Sequence, residues 1–166
     1  MKVLGVDPGT AVTGYGVVDA GPGLSPRLLE CGVIRTAARD PLVERLRLIH
    51  DDMAELIRRH RPDVVAVEEA FHARNARTTL VLGQARGVIL LAAGQAGVRI
   101  AEYPPATVKQ TVTGRGGALK PAVGTMVARL LRLRHPPVPA DAADGVAVAL
   151  THVLRSRPAV RQRPHV

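Results

Sequence analysis

Apolar positions recur along this chain with two different periods. Lys2–Asp7 is a short apolar run that ends on an acid, and Pro8-Gly9 directly after it is a strong turn signal. Further apolar runs follow at Tyr15–Asp19 and Leu28–Thr36. Three consecutive strands joined by Gly- and Pro-containing turns predict an antiparallel meander. The period then changes. Leu42, Leu46, Ile49, Met53 and Leu56 are spaced by fours and threes with charges between them, which predicts an amphipathic helix over 41–60. Pro62-Asp63 ends that helix, and Val64–Val67 reads as a strand buried on both faces. A Gly- and Ala-rich helix is expected over 78–97, a fifth strand over Arg99–Tyr103 and a Gly-rich loop over 113–118. Pro121 opens a helix over 121–133, HPPVP forms a stiff linker at 135–139, and a last helix covers 141–155.

The order β-β-β-α-β-α-β-α-α predicts an α/β fold. Its mixed five-stranded sheet combines a three-strand antiparallel meander with βα units and carries helices on both faces. Parallel crossovers should be right-handed. Residues 1–155 are expected to form a single domain. Residues 156–166, polar and basic, are expected to be a flexible tail.

Composition narrows the class. A length of 166 residues suits one domain with a sizeable core. A single cysteine, Cys31, rules out an intrachain disulfide and points to a reducing compartment. Asp7 interrupts what a signal peptide would need as an apolar stretch, and the apolar stretch 88–98 is too short to span a bilayer. The expectation is a cytoplasmic protein with no membrane partner. Charge says more: 23 basic against 14 acidic side chains give a net +9. Residues 1–70 hold 9 basic and 11 acidic side chains, whereas residues 71–166 hold 14 basic and 3 acidic. That asymmetry predicts a polyanion-binding surface in the second half.

Two of the three late acids, Asp141 and Asp144, lie three residues apart at the start of the last helix, so both carboxylates share one face. Taken alone, the pair fits N-terminal capping and favourable dipole placement better than it fits a site. The strand ends sharpen the picture. Val3-Leu4-Gly5-Val6-Asp7 and Val64-Val65-Ala66-Val67-Glu68 are each four residues and then a carboxylate. As parallel neighbours they would put Asp7 and Glu68 side by side, where like charges repel unless a cation stands between them. Glu69 is the rival to Glu68; the matching register favours Glu68, because a one-residue shift turns the side chain to the other face. Hard divalent ions take oxygen ligands, and four carboxylates would suit two of them.

The segments VDPGT, TGYGV, VEEAF, LGQARGV, VKQTVTG and DAADGVAVA occur in this order from Lys2 to His152. Together they resemble RuvC, the bacterial Holliday-junction endonuclease family. The resemblance implies an RNase H-like fold and a homodimer that nicks two opposed strands of a four-way DNA junction. It implies Mg²⁺, two per subunit, with Mn²⁺ able to substitute, and 5′-phosphate and 3′-hydroxyl products. By motif it assigns Asp7, Glu68, Asp141 and Asp144 as the catalytic, metal-binding acids. Association with the RuvA-RuvB branch-migration complex follows from the family alone. The loop after Arg35 and the tail match poorly and inherit nothing.

Phe71 is the only phenylalanine. It could be a core side chain, but the resemblance implies stacking on an unpaired base at the crossover. Lys109 and Lys120 flank the TGRGGA loop and become DNA contacts on the same ground, with Arg74, Arg77 and Arg115 as further candidates. The small residues of LGQARG would let their helix lie close to its own sheet or to a second subunit. Three competing classes fit the sequence less well. An actin-like ATPase would need a second lobe, a non-catalytic junction binder would not need four acids, and a nuclease for flaps or RNA hybrids would not need so long a match.

Overall fold

The computed structural model describes residues 1–21, 25–69 and 76–156. Strands β1 (Lys2–Asp7), β2 (Val12–Asp19) and β3 (Arg27–Arg35) are followed by α1 (Leu42–His60), β4 (Val64–Glu68), α2 (Ala76–Gln95) and β5 (Arg99–Tyr103). Three helices complete the order: α3 (Pro105–Thr113), α4 (Lys120–Leu130) and α5 (Ala140–Arg155). The sheet runs β3-β2-β1-β4-β5, antiparallel across the first three strands and parallel from β1 to β4 to β5. This is the mixed five-stranded α/β sheet that the sequence predicts.

Side-chain parity divides the sheet into two apolar layers, because successive residues of a strand point to opposite faces. Leu4, Val6, Val17, Val65 and Val67 pack against α1 and α2, where Ile49, Met53, Ala85 and Ile89 meet them. Val3, Val18 and Ala66 face the other way, onto Val146, Ala149 and Leu150 of α5, with α3 and α4 closing that layer. Helix α5 is buried over most of its surface, and its charged and imidazole side chains, Asp141, Asp144, His152 and Arg155, keep to the part that is not.

The sheet receives α5 at unusually short range. A Cβ built on Gly5 would overlap the Ala149 amide and the Gly145 carbonyl, and one on Gly14 would overlap the Asp141 carbonyl. In return, a Cβ on Gly145 would stand 2.5 Å from the Tyr15 Cα. Glycines on β1, β2 and α5 therefore let backbone meet backbone. The helix α2 glycines do something else. Gly83, Gly87 and Gly94 have nothing within 4 Å of the place a Cβ would take, so they do not serve contact with the sheet.

Helix α3 is an element that the sequence reading omits. Its residues ATVKQTVT are rich in β-branched side chains, which weakens the helical signal. The end signals outweigh this: Pro105 stands in the first turn, and Gly114 terminates the helix in the left-handed region at φ 78°. Val108 and Val112, one turn apart, are buried against the α5 layer. Other boundaries move less. Strand β2 begins at Val12 rather than Tyr15, and α4 ends at Leu130 rather than Leu133.

Candidate active site

Strands β1 and β4 pair in parallel with Val6 opposite Val67, so Asp7 and Glu68 follow as the next neighbours in register. Asp7 shares its face with Val3 and Gly5, and Glu68 shares its face with Val64 and Ala66. Both carboxylates therefore point toward α5, and Glu69 is turned to the opposite face. The first turns of α5 bring Asp141 and Asp144 above them. Pro139, not an aspartate, is the N-cap residue of α5, and no side chain caps it. Neither acid serves as the helix cap, so capping does not account for the pair. The helix dipole still favours anions there.

Asp7, Glu68 and Asp144 line a cavity of about 290 Å³ with Lys109 and Lys120, floored by Val108, Val123 and Ala147. Asp141 stands at its edge. Lys120 Nζ donates to Asp144 Oδ2 at 2.9 Å and lies 3.8 Å from Asp141 Oδ1. The turn that carries Asp7 is fastened from beneath and from the side. Thr13, fully buried, donates to the Gly9 carbonyl at 2.6 Å, and Arg45 Nη2 donates to the Thr10 carbonyl at 2.7 Å. Thr36 links the two sides: its hydroxyl donates to Thr10 and accepts from Arg45.

Burial and mutual repulsion oppose ionisation of the acids in this cavity, and its lysines offset that only in part. Burial, then the neighbouring Asp144, pushes Asp7 up to about 6, against the pull of Lys120. Burial, then Asp7 and Asp144, pushes Glu68 up to about 8. The hydrogen bond to Asp144 in turn raises Lys120. The folded state thus holds protons that the unfolded chain would release. Stability from these two acids is complete below the ordinary carboxylate range and is lost as pH rises through about 6 and then about 8. In EDTA, the thermal midpoint should fall between about pH 5 and pH 8, and Mg²⁺ should offset the fall at the upper end. A midpoint that climbs across this window without metal would contradict the assignment.

The donor set fits a hard divalent ion: every candidate ligand is a carboxylate oxygen, and the buried pair is held in a costly like-charge contact. Among the described residues, no three carboxylate, histidine or cysteine side chains already converge as a closed metal cage. The ammonium of Lys120 provides the cationic contact to Asp141 and Asp144 in this arrangement.

Comparison with known proteins settles the family. The model of the family "Crossover junction endodeoxyribonuclease RuvC" matches residues 3–152. The chain belongs to the RuvC family. The RuvC crossover junction endodeoxyribonuclease of Thermomicrobium roseum is 49% identical over 163 residues, covering 98% of this chain and 99% of that one. The RuvC of Pelotomaculum thermopropionicum is 50% identical over 152 residues, covering 92% of each chain. Among solved structures, Thermus thermophilus RuvC in complex with a Holliday junction substrate superposes with a TM-score of 0.88 at 41% identity, covering 95% of each chain. The five-stranded sheet with its β1–β4 parallel pair is thus the RNase H-like fold of RuvC proteins, as the motifs imply. RuvC proteins are metal-dependent DNA endonucleases.

The remaining sequence-derived candidates divide into three groups. Lys109 and Lys120 stand in the RuvC cavity with the acids. Arg115 lines a neighbouring hollow, and Arg77 is exposed in the first turn of α2. Phe71 and Arg74 lie outside the described residues. Sequence reading missed Pro105, Val108 and Val123 as cavity walls, and missed the clamp that Arg45 and Thr36 place on the Asp7 turn. Only the Pro-Pro start of α3 signalled any of these. No described helix is long and apolar enough to cross a membrane.

Proposed function

We propose that Asp7, Glu68, Asp141 and Asp144 form the cleavage centre with which this RuvC-family chain resolves four-way DNA junctions. The carrying observation is the convergence of acids from β1, β4 and α5 on one cavity walled by two lysines. Divalent ions, Mg²⁺ with two per subunit, would supply the charge that activates water and stabilises the departing 3′-oxygen. Asp7, central and most enclosed, is placed to be shared between two ligand groups, Glu68 on one side and the α5 pair on the other. The chain's own contribution is positioning. The clamped turn fixes Asp7, and the glycine contacts fix the height of Asp141 and Asp144 above it. The products expected from water attack are 5′-phosphate and 3′-hydroxyl ends.

Lys109 and Lys120 would hold the phosphate that enters the cavity, with Arg115 further along the strand, and Phe71, Arg74 and Arg77 would be further DNA contacts. Each lysine replaced by Ala should weaken junction binding uniformly across sequences. Each should also reduce the slope of log affinity against log salt by about 1. An unchanged slope for both variants would remove them from the interface.

Paired nicks require two sites, and α2 offers a surface for a second copy. Leu80 and Leu91 are exposed, and Gly83, Gly87 and Gly94 present open backbone on the same helix. A homodimer through α2 would set two cavities against opposed strands. Its readout is the pairing of nicks within one binding event.

A further inference from the structure

Beside the acid cavity lies a second and larger hollow of about 700 Å³. The first turns of α4 form the wall between the two. Lys120 and Val123 face the acids, whereas Leu119, Ala122 and Met126 face the hollow, with Arg115 and Thr113 at its rim. That rim is tied in place. Thr113 Oγ1 donates to the Lys109 carbonyl at 2.8 Å and accepts from the Arg115 amide at 3.2 Å, and Gln110 Nε2 donates to the Gly114 carbonyl at 2.9 Å.

A single exposed leucine on a protein surface needs no explanation. Leu119 is singled out by its position. Like Pro41, Pro104 and Pro139 at the N-caps of α1, α3 and α5, Leu119 at the N-cap of α4 makes no side-chain cap hydrogen bond. What sets it apart is a freely exposed aliphatic side chain lining the hollow, where Ser, Thr, Asp or Asn would satisfy a free helix amide. It leaves 77% of its surface in solvent, and its neighbour Lys120 touches Asp144. The chain thus has an apolar side chain where helix stability favours a polar one, one residue from the catalytic cavity.

We propose that this hollow is a nucleotide subsite. It would receive the sugar and base of the nucleotide next to the phosphate held at the acids, with Leu119 as its apolar contact and Arg115 as the cation for the following phosphate. A cation at the rim and aliphatic carbons on the floor match the two faces of a nucleotide, charged phosphate and apolar sugar or base carbons. The inference rests on the nuclease reading of the adjoining cavity and extends it to the neighbouring nucleotide. Leu119 is a positioning residue for the strand and takes no part in the chemistry.

The test uses the full chain, a fixed four-way junction and single-turnover cleavage in Mg²⁺, with junction affinity measured in EDTA and thermal midpoints beside them. Leu119→Ser supplies the missing cap, and its midpoint should equal or exceed that of the wild type. Its cleavage rate should fall about tenfold or more, with affinity within about threefold, because phosphate contacts dominate binding. Leu119→Met, apolar and without a cap, should keep most of the rate. An abasic nucleotide placed beside the cleaved bond divides the contact: a wild-type rate that drops to the Ser level assigns it to the base, and one that persists assigns it to the sugar. Both results support the subsite. A Ser variant that cleaves like the wild type overturns the proposal, as does a loss accompanied by a lower midpoint and shared by the Met variant. An uncut junction with the wild-type chain would overturn this inference together with the nuclease reading.

Discussion

Asp7→Asn is expected to lower junction cleavage by at least about 10³-fold, equivalent to about 4 kcal/mol of lost transition-state stabilisation. The same variant should bind the uncut junction as tightly as the wild type, or more tightly. Asp7 ends β1 within a cavity that also holds Glu68 and Asp144, and its carboxylate interacts with both Asp144 and Asp141 of α5. An amide keeps the shape and loses the charge. Metal coordination suffers because a neutral oxygen is a poorer ligand for a hard cation. DNA binding does not suffer, because a negative group near the phosphate path has been removed. Stability offers an independent check. Burial and Asp144 oppose the charge on Asp7, so in EDTA the Asn variant should melt at or above the wild-type midpoint, with a shallower fall toward high pH. A variant that cleaves at the normal rate would remove Asp7 from the site.

Gly5→Ala should destabilise the chain by about 3 kcal/mol or more, a large share of the stability of a domain this size. One methyl is added, but it meets the Ala149 amide and the Gly145 carbonyl, which are helix backbone and cannot rotate aside. Either α5 lifts from the sheet or β1 bends. Lifting α5 also separates Asp141 and Asp144 from Asp7 and Glu68, so the protein that remains folded should cleave more slowly. Gly94→Ala is the control. That glycine is exposed on α2 with open space around it, and alanine there should leave stability unchanged or raise it by about 0.5–1 kcal/mol through helix propensity. Urea unfolding of both variants makes the comparison. Equal stabilities would show that the close β1–α5 approach has no energetic consequence.

Where the acids would meet was legible from the chain because two strands carry the same signal. Each presents a buried run and then a carboxylate, and parallel pairing in register, Val6 opposite Val67, turns that repeat into proximity. The parity that selects Glu68 over Glu69 was legible for the same reason. Helix α3 was not, since Thr and Val residues speak for strand while only its ends speak for helix. The small residues of LGQARG offer either a close approach to the sheet or a seat for a second subunit, and the structure puts the close approach elsewhere, at Gly5, Gly14 and Gly16 on one face of β1 and β2. Alternation of glycine along a strand is the signal that would have found it. The sequence presents Lys120 as a flank of the Gly-rich loop and, by resemblance, a DNA contact, but not as a partner of the acids. That it reaches Asp144 across 24 residues of sequence depends on how α4 packs on α5, which periodicity does not encode.

The most direct test of the four-acid cleavage centre is a side-by-side assay of the wild-type chain on a fixed four-way junction and on a linear duplex of matched sequence. The junction core is varied, and Mg²⁺ is compared with EDTA. The account predicts paired nicks on opposed junction strands with Mg²⁺, ligatable ends, no comparable cutting of the duplex and no activity in EDTA. Cleavage that persists in EDTA, or a junction left intact by Mg²⁺ and Mn²⁺ across all cores, would contradict it.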